Sequence, residues 1–230
     1  MDAYISPLDL VRERSPHRPV ALARPAAAGA AARWFGNTFK GSVLYAVKAN
    51  PSPWMIRALS EAGIDAFDVA SLVEIELVAE HAPGARLAFM HPVKSREAIA
   101  AAYHDHGVRA FALDSQAELA KIIEATGGAG ELDLIVRMAV TAPGAAYAFG
   151  GKFGVTPAEA PDLLLAARRA TDGLMGVSFH VGSQCMRPAA FPAAMAQVSR
   201  ALVRAGVFAD IVDVGGGFPS IYPGMTPPEM

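Results

Sequence analysis

The sequence predicts an α/β fold, a (β/α)₈ barrel of the TIM type, and three observations support that prediction. Short apolar runs recur along the chain, at 43–47, 66–70, 87–90, 109–113, 132–138, 174–179 and 210–214. The first five of them begin about 22 residues apart, which is the length of one strand plus one helix. Helix-compatible segments, several with N-terminal capping signals, lie between the runs. Strands that alternate with capped helices are typical of a parallel sheet.

The first 40 residues are predicted to be an N-terminal extension, and residues 41–230 the barrel domain. Residues 1–17 contain Pro7 and Pro16 and are expected to be irregular. A short strand is predicted at 19–23, and an alanine-rich helix at 26–39.

Four helix starts carry explicit signals. Ser52 before Pro53 has the pattern of an N-cap followed by proline at the first helical position. Capping boxes, in which a serine or threonine precedes a glutamate by three residues, are predicted to begin at Ser71, Ser115 and Thr156. The first of these boxes ends in Glu74, so capping already accounts for that carboxylate, which is left out of the predicted site.

Seven strands can be counted, whereas a closed barrel of this type needs eight and takes about 250 residues. The last residues, 222–230, have the composition of a turn-rich loop. The expectation is therefore that the chain stops one strand short of closure, as a piece of a longer protein. An open seven-stranded sheet is the alternative.

Composition excludes several classes of function. The formal net charge is −2 and no long basic run occurs, so neither nucleic acid nor an anionic membrane is an expected partner. The only cysteine is Cys185, which rules out an intramolecular disulfide. No signal peptide, membrane span or metal site is predicted, and the expected location is the cytoplasm.

One lysine lies at the end of the first predicted strand. Lys48 follows the apolar run 43–47, and Asn50-Pro51 interrupts the strand just after it. The carboxyl ends of parallel strands are the edge at which α/β folds bind ligands. By position alone, a solvent-exposed lysine and a functional one both fit.

Other polar residues are predicted at the same edge. Gly215 to Gly217 follow the seventh strand, where three glycines let several backbone N–H groups point at one anion. His180 and Ser183 follow the sixth strand. Asp68 and Arg137 end the second and fifth strands, and each also fits a simple structural role.

A lysine that faces an anion-binding loop across a barrel mouth suggests a phosphorylated aldehyde held as a Schiff base. Burial and cationic neighbours lower the pKa of a lysine and make its amine a nucleophile. Pyridoxal 5′-phosphate fits this description, because its ring also acts as an electron sink.

Four motifs in order resemble those of the ornithine/diaminopimelate/arginine decarboxylase family: YAVKANP at 45–51, FDVAS at 67–71, SFHVGSQ at 178–184 and DVGGGFP at 213–219. These are pyridoxal-phosphate enzymes whose barrel is of the alanine racemase type. The second and fourth motifs are closer to ornithine decarboxylase, and residues 90–95 resemble the bacterial ornithine or lysine/ornithine members.

The resemblance implies a role for each predicted residue. Lys48 would hold the cofactor and later return a proton to Cα, and His180 would stack on the cofactor ring. Asp68 and Arg137 would line the site. Ser183 and Gly215 to Gly217 would hold the phosphate. Lys152 matches a family position near a dimer interface.

The resemblance also implies partners and alternatives. The resemblance implies that the family acts as homodimers and that a C-terminal β-domain completes the active site; that domain is expected to lie outside this sequence. The expected reaction is decarboxylation of a basic L-amino acid, most of all L-ornithine to putrescine in polyamine biosynthesis. Lysine, arginine and carboxynorspermidine share the chemistry, and a non-catalytic pyridoxal-phosphate carrier or an inactive decarboxylase homologue are the competing hypotheses.

Overall fold

A computed structural model describes residues 3–141, 145–147, 151–224 and 226 of the chain. Most of the predicted turn-rich segment 222–230 lies outside these residues. Among the helices formed by the described part of the chain, none is long and apolar enough to span a membrane.

The predicted parallel sheet is confirmed. Nine strands form within the described ranges: β1 Tyr45–Ala46, β2 Ala66–Val69, β3 Arg86–Phe89, β4 Ala110–Leu113, β5 Asp133–Arg137, β6 Ala145–Tyr147, β7 Met175–Ser178, β8 Ser183–Cys185 and β9 Ile211–Asp213. Seven of them make one parallel sheet in the order β1-β2-β3-β4-β5-β7-β9, and each of these overlaps one predicted apolar run. The remaining two, β6 and β8, pair antiparallel in a separate ribbon.

Eight helices accompany the strands in the described residues. They are α1 Pro7–Arg14, α2 Pro25–Thr38, α3 Pro53–Glu61, α4 Leu72–His81, α5 Arg96–His104, α6 Gln116–Ala125, α7 Ala160–Arg169 and α8 Ala190–Ala205. A helix therefore follows each strand of the parallel sheet except the last, in the alternating order that the sequence predicts.

Two predictions for the N-terminal region are wrong. The segment expected to be irregular contains α1, which Ser6 caps by accepting a hydrogen bond from the Asp9 N–H, with Pro7 in the first turn. The segment expected to be a strand, residues 19–23, is exposed and has no regular structure. The apolar side chains of Val20 and Leu22 find no partner strand there, and an unpaired strand is not stable alone.

The capping predictions hold in part. Ser71 and Ser115 are N-caps whose hydroxyl oxygens accept the N–H of Glu74 and Glu118. Ser52 occupies an N-cap position, although its side chain makes no capping hydrogen bond. At Thr156 the prediction is wrong about the helix: its hydroxyl accepts the Glu159 N–H within a turn, and α7 begins only at Ala160.

The sheet separates two apolar layers. Large side chains such as Phe67, Phe89 and Phe111 pack against the helices. A smaller cluster on the other face consists of Ala88, Met90, Ala112 and Ile135. Successive residues of a strand point to opposite faces, so Asp68, next to Phe67, points to this inner side. The carboxyl rim of the inner face carries the polar residues described next.

Candidate active site

Lys48 lies in a short 3₁₀ turn, Val47–Ala49, that directly follows β1. Val47 is fully buried and anchors the turn in the core. Two hydrogen bonds fix the chain just beyond it: the Tyr45 hydroxyl donates to the Asn50 carbonyl, and the Asn50 side chain accepts the Ser52 N–H. The lysine backbone is therefore fixed, while its side chain is 61% exposed at the rim.

Asp68, in the neighbouring strand β2, is the partner of Lys48. The lysine Nζ donates to Asp68 Oδ2 over 3.3 Å. This contact follows from the register, because Ala46 pairs with Asp68 and Lys48 lies two residues beyond Ala46. The other oxygen, Oδ1, is buried and has no hydrogen-bond partner among the described residues. A buried oxygen of this kind costs free energy unless a ligand satisfies it.

Arg137, Ser178 and Asp213 share one row of the sheet. They are register partners on β5, β7 and β9. Burial lowers the pKa of the Arg137 guanidinium, and the carboxylates of Asp68, Asp114 and Asp213 act in the opposite direction. Burial also raises the pKa of the Asp213 carboxyl. The row thus places a buried cation and a buried carboxylate at the rim.

His180 lies two residues beyond β7. Its Nδ1 accepts a hydrogen bond from the Gly182 N–H at 2.9 Å, so the proton of the neutral ring belongs on Nε2. Burial lowers the pKa of His180 to about 4, and the nearby charges of Arg137 and Lys48 lower it further in the same direction. The imidazole is therefore neutral at physiological pH.

The glycine loop, defined here as residues 214–220, follows β9. Asp213 Oδ1 accepts the Gly215 N–H at 2.7 Å, which turns the chain at the end of the strand. Gly215 and Gly217 have left-handed φ angles of 70° and 93°. A Cβ on Gly217 would overlap the carbonyl oxygen of Gly182, whereas a Cβ on Gly216 would lie 3.5 Å from His180 Nε2. The middle of the loop therefore passes beside the histidine ring.

Aromatic residues hold the far side of this loop. The Phe218 ring stacks on Phe191 of α8 with centroids 5.1 Å apart. It also meets Phe35 and Phe39 at the end of α2 edge to face. Helix α2 thus contributes to positioning the loop.

The structure brings most of the predicted site residues together. Lys48 contacts Asp68; His180 is electrostatically coupled to Lys48 and Arg137; and Gly216 approaches the His180 ring. Ser183 begins β8, next to the Gly182 that bonds His180. The carboxylate of Glu74, which was left out of the site, accepts the N–H of Ala70, the residue before the N-cap, and not the Ser71 N–H that a capping box predicts. The Lys152 ammonium lies 5.1 Å from the Phe153 ring centroid.

Sequence reasoning missed two residues of this region. Asp213 could have been found, since an Asp two residues before a glycine is typical of an Asx turn. Gln184, whose side chain binds the backbone of Ser220, carries no comparable signal in the sequence.

A second charged cluster consists of Lys94, Glu118 and Lys121. The Lys94 side chain is fully buried, and its Nζ donates to Glu118 at 2.9 Å and to the carbonyls of His91 and Ala112. Lys121 pairs with the other oxygen of Glu118. Burial lowers the pKa of Lys94 to about 8. The Lys94 N–H and ammonium are both bound within the protein, so this lysine serves the packing of α5 and α6 on the sheet.

Comparison with known proteins gives a family match. Residues 27–229 match the family model described as "Pyridoxal-dependent decarboxylase, pyridoxal binding domain". The match includes every predicted site residue.

Individual relatives agree with that match. The chain is 39% identical over 184 residues to a lysine/ornithine decarboxylase of Selenomonas ruminantium, covering 78% of this chain and 46% of the relative. It is 37% identical over 182 residues to an ornithine decarboxylase of Panagrellus redivivus, covering 77% and 40%. The chain thus spans about half the length of the curated relatives it matches.

A solved structure shows the same fold. The chain superposes on a crystal structure of an SrLDC mutant in complex with PLP, which is pyridoxal 5′-phosphate. The TM-score is 0.80 at 31% identity, and the superposition covers 95% of this chain and 57% of that one. The alanine-racemase type of barrel that the motifs imply is therefore confirmed.

Proposed function

We propose that this chain, which belongs to the family of pyridoxal-dependent decarboxylases, supplies the cofactor site of an enzyme that decarboxylates a basic L-amino acid. The family's members are pyridoxal-phosphate-dependent lyases that break a carbon–carbon bond. L-Ornithine is the first candidate substrate, since ornithine is named in both relatives. A homodimer is proposed as the assembly of the whole protein.

The residues at the rim fit pyridoxal 5′-phosphate. Asp68 Oδ1 is buried and has no hydrogen-bond partner in the part of the chain that the structure describes, so it can accept a hydrogen bond from a ligand. The approach of Gly216 to His180 leaves room that a side chain would fill. Because the Gly215 N–H is already held by Asp213, we assign phosphate contacts to Gly216, Gly217 and Ser183. Arg137 and neutral His180 would flank the ring.

Decarboxylation breaks the bond between Cα and the carboxylate, and a proton then takes the place of the departing carbon dioxide. The bound cofactor supplies a ring that accepts the electron pair left on Cα. Lys48 would be the amine that holds its aldehyde, and its side chain, 61% exposed at the rim, would return the proton to Cα. Asp68 holds that amine at a defined place on the rim. A neutral His180 can lie against the ring without adding a positive charge.

One observation carries this proposal: the hydrogen bond of Lys48 to Asp68 lies on the same rim as the glycine loop. The test treats the whole protein with pyridoxal 5′-phosphate and then borohydride, and mass spectrometry identifies the modified lysine. Carbon dioxide release is measured from ornithine, lysine, arginine and carboxynorspermidine side by side. We expect Lys48→Ala to abolish both signals and Lys40→Ala, at an exposed lysine outside the predicted site, to leave both unchanged.

The proposal is wrong if Lys48→Ala still captures the cofactor and releases carbon dioxide. A non-catalytic carrier or an inactive homologue would instead capture the cofactor on Lys48 and release no carbon dioxide from any of the four substrates.

A further inference from the structure

Gln184 has a backbone conformation that residues with side chains rarely adopt. Its φ is 51°, in the left-handed region. The only other residue with a side chain in that region, within the described part of the chain, is Ser15 at the end of α1. A helix end is a common place for such a conformation, but the middle of a strand is not. Such a conformation persists only where surrounding contacts enforce it.

The contacts that enforce it lead to the glycine loop. Gln184 Nε2 donates to the Ser220 carbonyl at 2.9 Å, and the Ser220 N–H donates to Gln184 Oε1 at 2.7 Å. The next residue, Cys185, donates its N–H to the Gly217 carbonyl at 2.8 Å. One side-chain amide therefore binds both backbone groups of a residue that lies 36 positions away.

These bonds fix the second end of the glycine loop. Asp213 holds the first end through the Gly215 N–H. Between the two anchors lie Gly216 and Gly217, and Ser183 is the chain neighbour of Gln184. Glycines lose more conformational entropy than other residues when they become ordered, so a loop held in place before binding costs less to order around an anion.

We propose that Gln184 is a positioning residue for phosphate recognition: its amide holds the glycine loop and Ser183 in place around the phosphate of the bound cofactor. This inference rests on the proposed function, because it takes the phosphate of pyridoxal 5′-phosphate as the anion. Gln184 itself does not touch the cofactor in this scheme, and it acts through the Ser220 backbone.

The test compares two ligands that differ only in the phosphate. Pyridoxal 5′-phosphate and pyridoxal are titrated separately onto the whole protein, and binding is followed by absorbance. Gln184→Gly removes both amide bonds but tolerates the left-handed φ, so the variant should fold. We expect its affinity for pyridoxal 5′-phosphate to fall about tenfold and its affinity for pyridoxal to stay within about twofold. Gln184→Glu keeps the shape of the side chain but places a carboxylate oxygen against the Ser220 carbonyl and a negative charge beside the phosphate, so its loss of affinity for pyridoxal 5′-phosphate should be at least as large.

The chain offers a matched control. Gln197 makes the same pair of amide bonds, to the N–H and carbonyl of Thr141 after β5, and it does not bind the glycine loop. Gln197→Ala should therefore leave the ratio of the two affinities unchanged.

Two results would overturn the inference alone: equal losses for both ligands in Gln184→Gly, or no loss in a protein whose Lys48 still captures the cofactor. A wild-type protein that captures neither ligand on Lys48 would overturn the proposed function, and the inference with it.

Discussion

The Lys48 ammonium donates to Asp68 Oδ2 at 3.3 Å, while Oδ1 of the same carboxylate is buried without a partner among the described residues. The lysine is mostly exposed, so this ion pair contributes little to stability. A carboxylate that is only half satisfied in the protein is better suited to a ligand than to the fold. Stability and cofactor binding should therefore respond differently when Asp68 is changed.

Asp68→Asn is the substitution that tests this difference. We expect the free energy of unfolding, measured by urea titration without cofactor, to change by less than about 1 kcal/mol. The affinity for pyridoxal 5′-phosphate should fall about tenfold or more, since a hydrogen bond to a charged group is lost. Asp172→Asn, at an exposed carboxylate away from the rim, should alter neither quantity. A large loss of stability with unchanged affinity would contradict this expectation.

His180 should titrate far below the usual range for histidine. Burial lowers its pKa to about 4, with Arg137 and Lys48 as further causes. Between that value and the ordinary pKa of about 6.5, the unfolded chain binds a proton that the folded chain does not. This contribution to stability is therefore present above pH 6.5 and is lost as the pH falls towards 4.

Two measurements check the His180 prediction. NMR titration of the imidazole should show a pKa near 4, and Arg137→Gln should raise it, although burial should still hold it below the ordinary value. Unfolding of His180→Asn should show a smaller loss of stability between pH 6.5 and 4 than the unsubstituted protein. A pKa of His180 close to 6.5 would show that the ring is not buried beside these cations.

Gly216 and Gly217 offer a matched pair of substitutions. Gly217→Ala adds a Cβ that overlaps the Gly182 carbonyl oxygen at a left-handed φ, so we expect a loss of about 2 kcal/mol or more in unfolding free energy. Gly216→Ala meets only an ordinary contact with His180 and should cost less than about 1 kcal/mol. Its methyl group occupies the space assigned to the phosphate, so cofactor affinity should still fall. Thermal unfolding and cofactor titration measure the two effects, and equal stabilities of the two variants would refute the geometry given for Gly217.

The Lys94–Glu118 pair should be important for stability. Glu118→Ala strands a fully buried ammonium, which should cost about 3–5 kcal/mol. Lys94→Met leaves Glu118 paired with Lys121 and should cost less. Urea titration of both variants measures the two losses of unfolding free energy. A smaller loss in Glu118→Ala than in Lys94→Met would mean that Glu118 does not hold Lys94.

The same pair predicts a pH dependence. Burial lowers the pKa of Lys94 to about 8, below its ordinary value of 10.5. Over that interval the unfolded chain binds more protons than the folded chain, so this residue makes stability rise with pH between 8 and 10.5. This rise should be absent in Lys94→Met. The unfolding free energy of both proteins is measured against pH, and the difference between them isolates the contribution of Lys94 from that of other titrating groups.

Much of the fold follows from local sequence patterns. Each of the seven apolar runs became a strand of the parallel sheet, and Ser71 and Ser115 became N-caps. Such signals depend on residues close together in the chain. The run at 19–23 has the same local character and failed, because a strand also needs a neighbour to pair with.

The sequence by itself determined that Lys48, Asp68, Arg137, His180 and the glycines share one rim, since all of them follow from strand ends and from the rule that parallel strands end at the same edge. Only the tertiary structure decided that Gln184 binds Ser220 and that Lys94 is buried rather than exposed. The physical reason is that the segments packed against a residue set its backbone conformation, its long-range hydrogen bonds and the extent to which it is buried. Gln184 and Ser220 are 36 residues apart, and the Lys94 and Glu118 side chains meet across 24. No local pattern contains those partners.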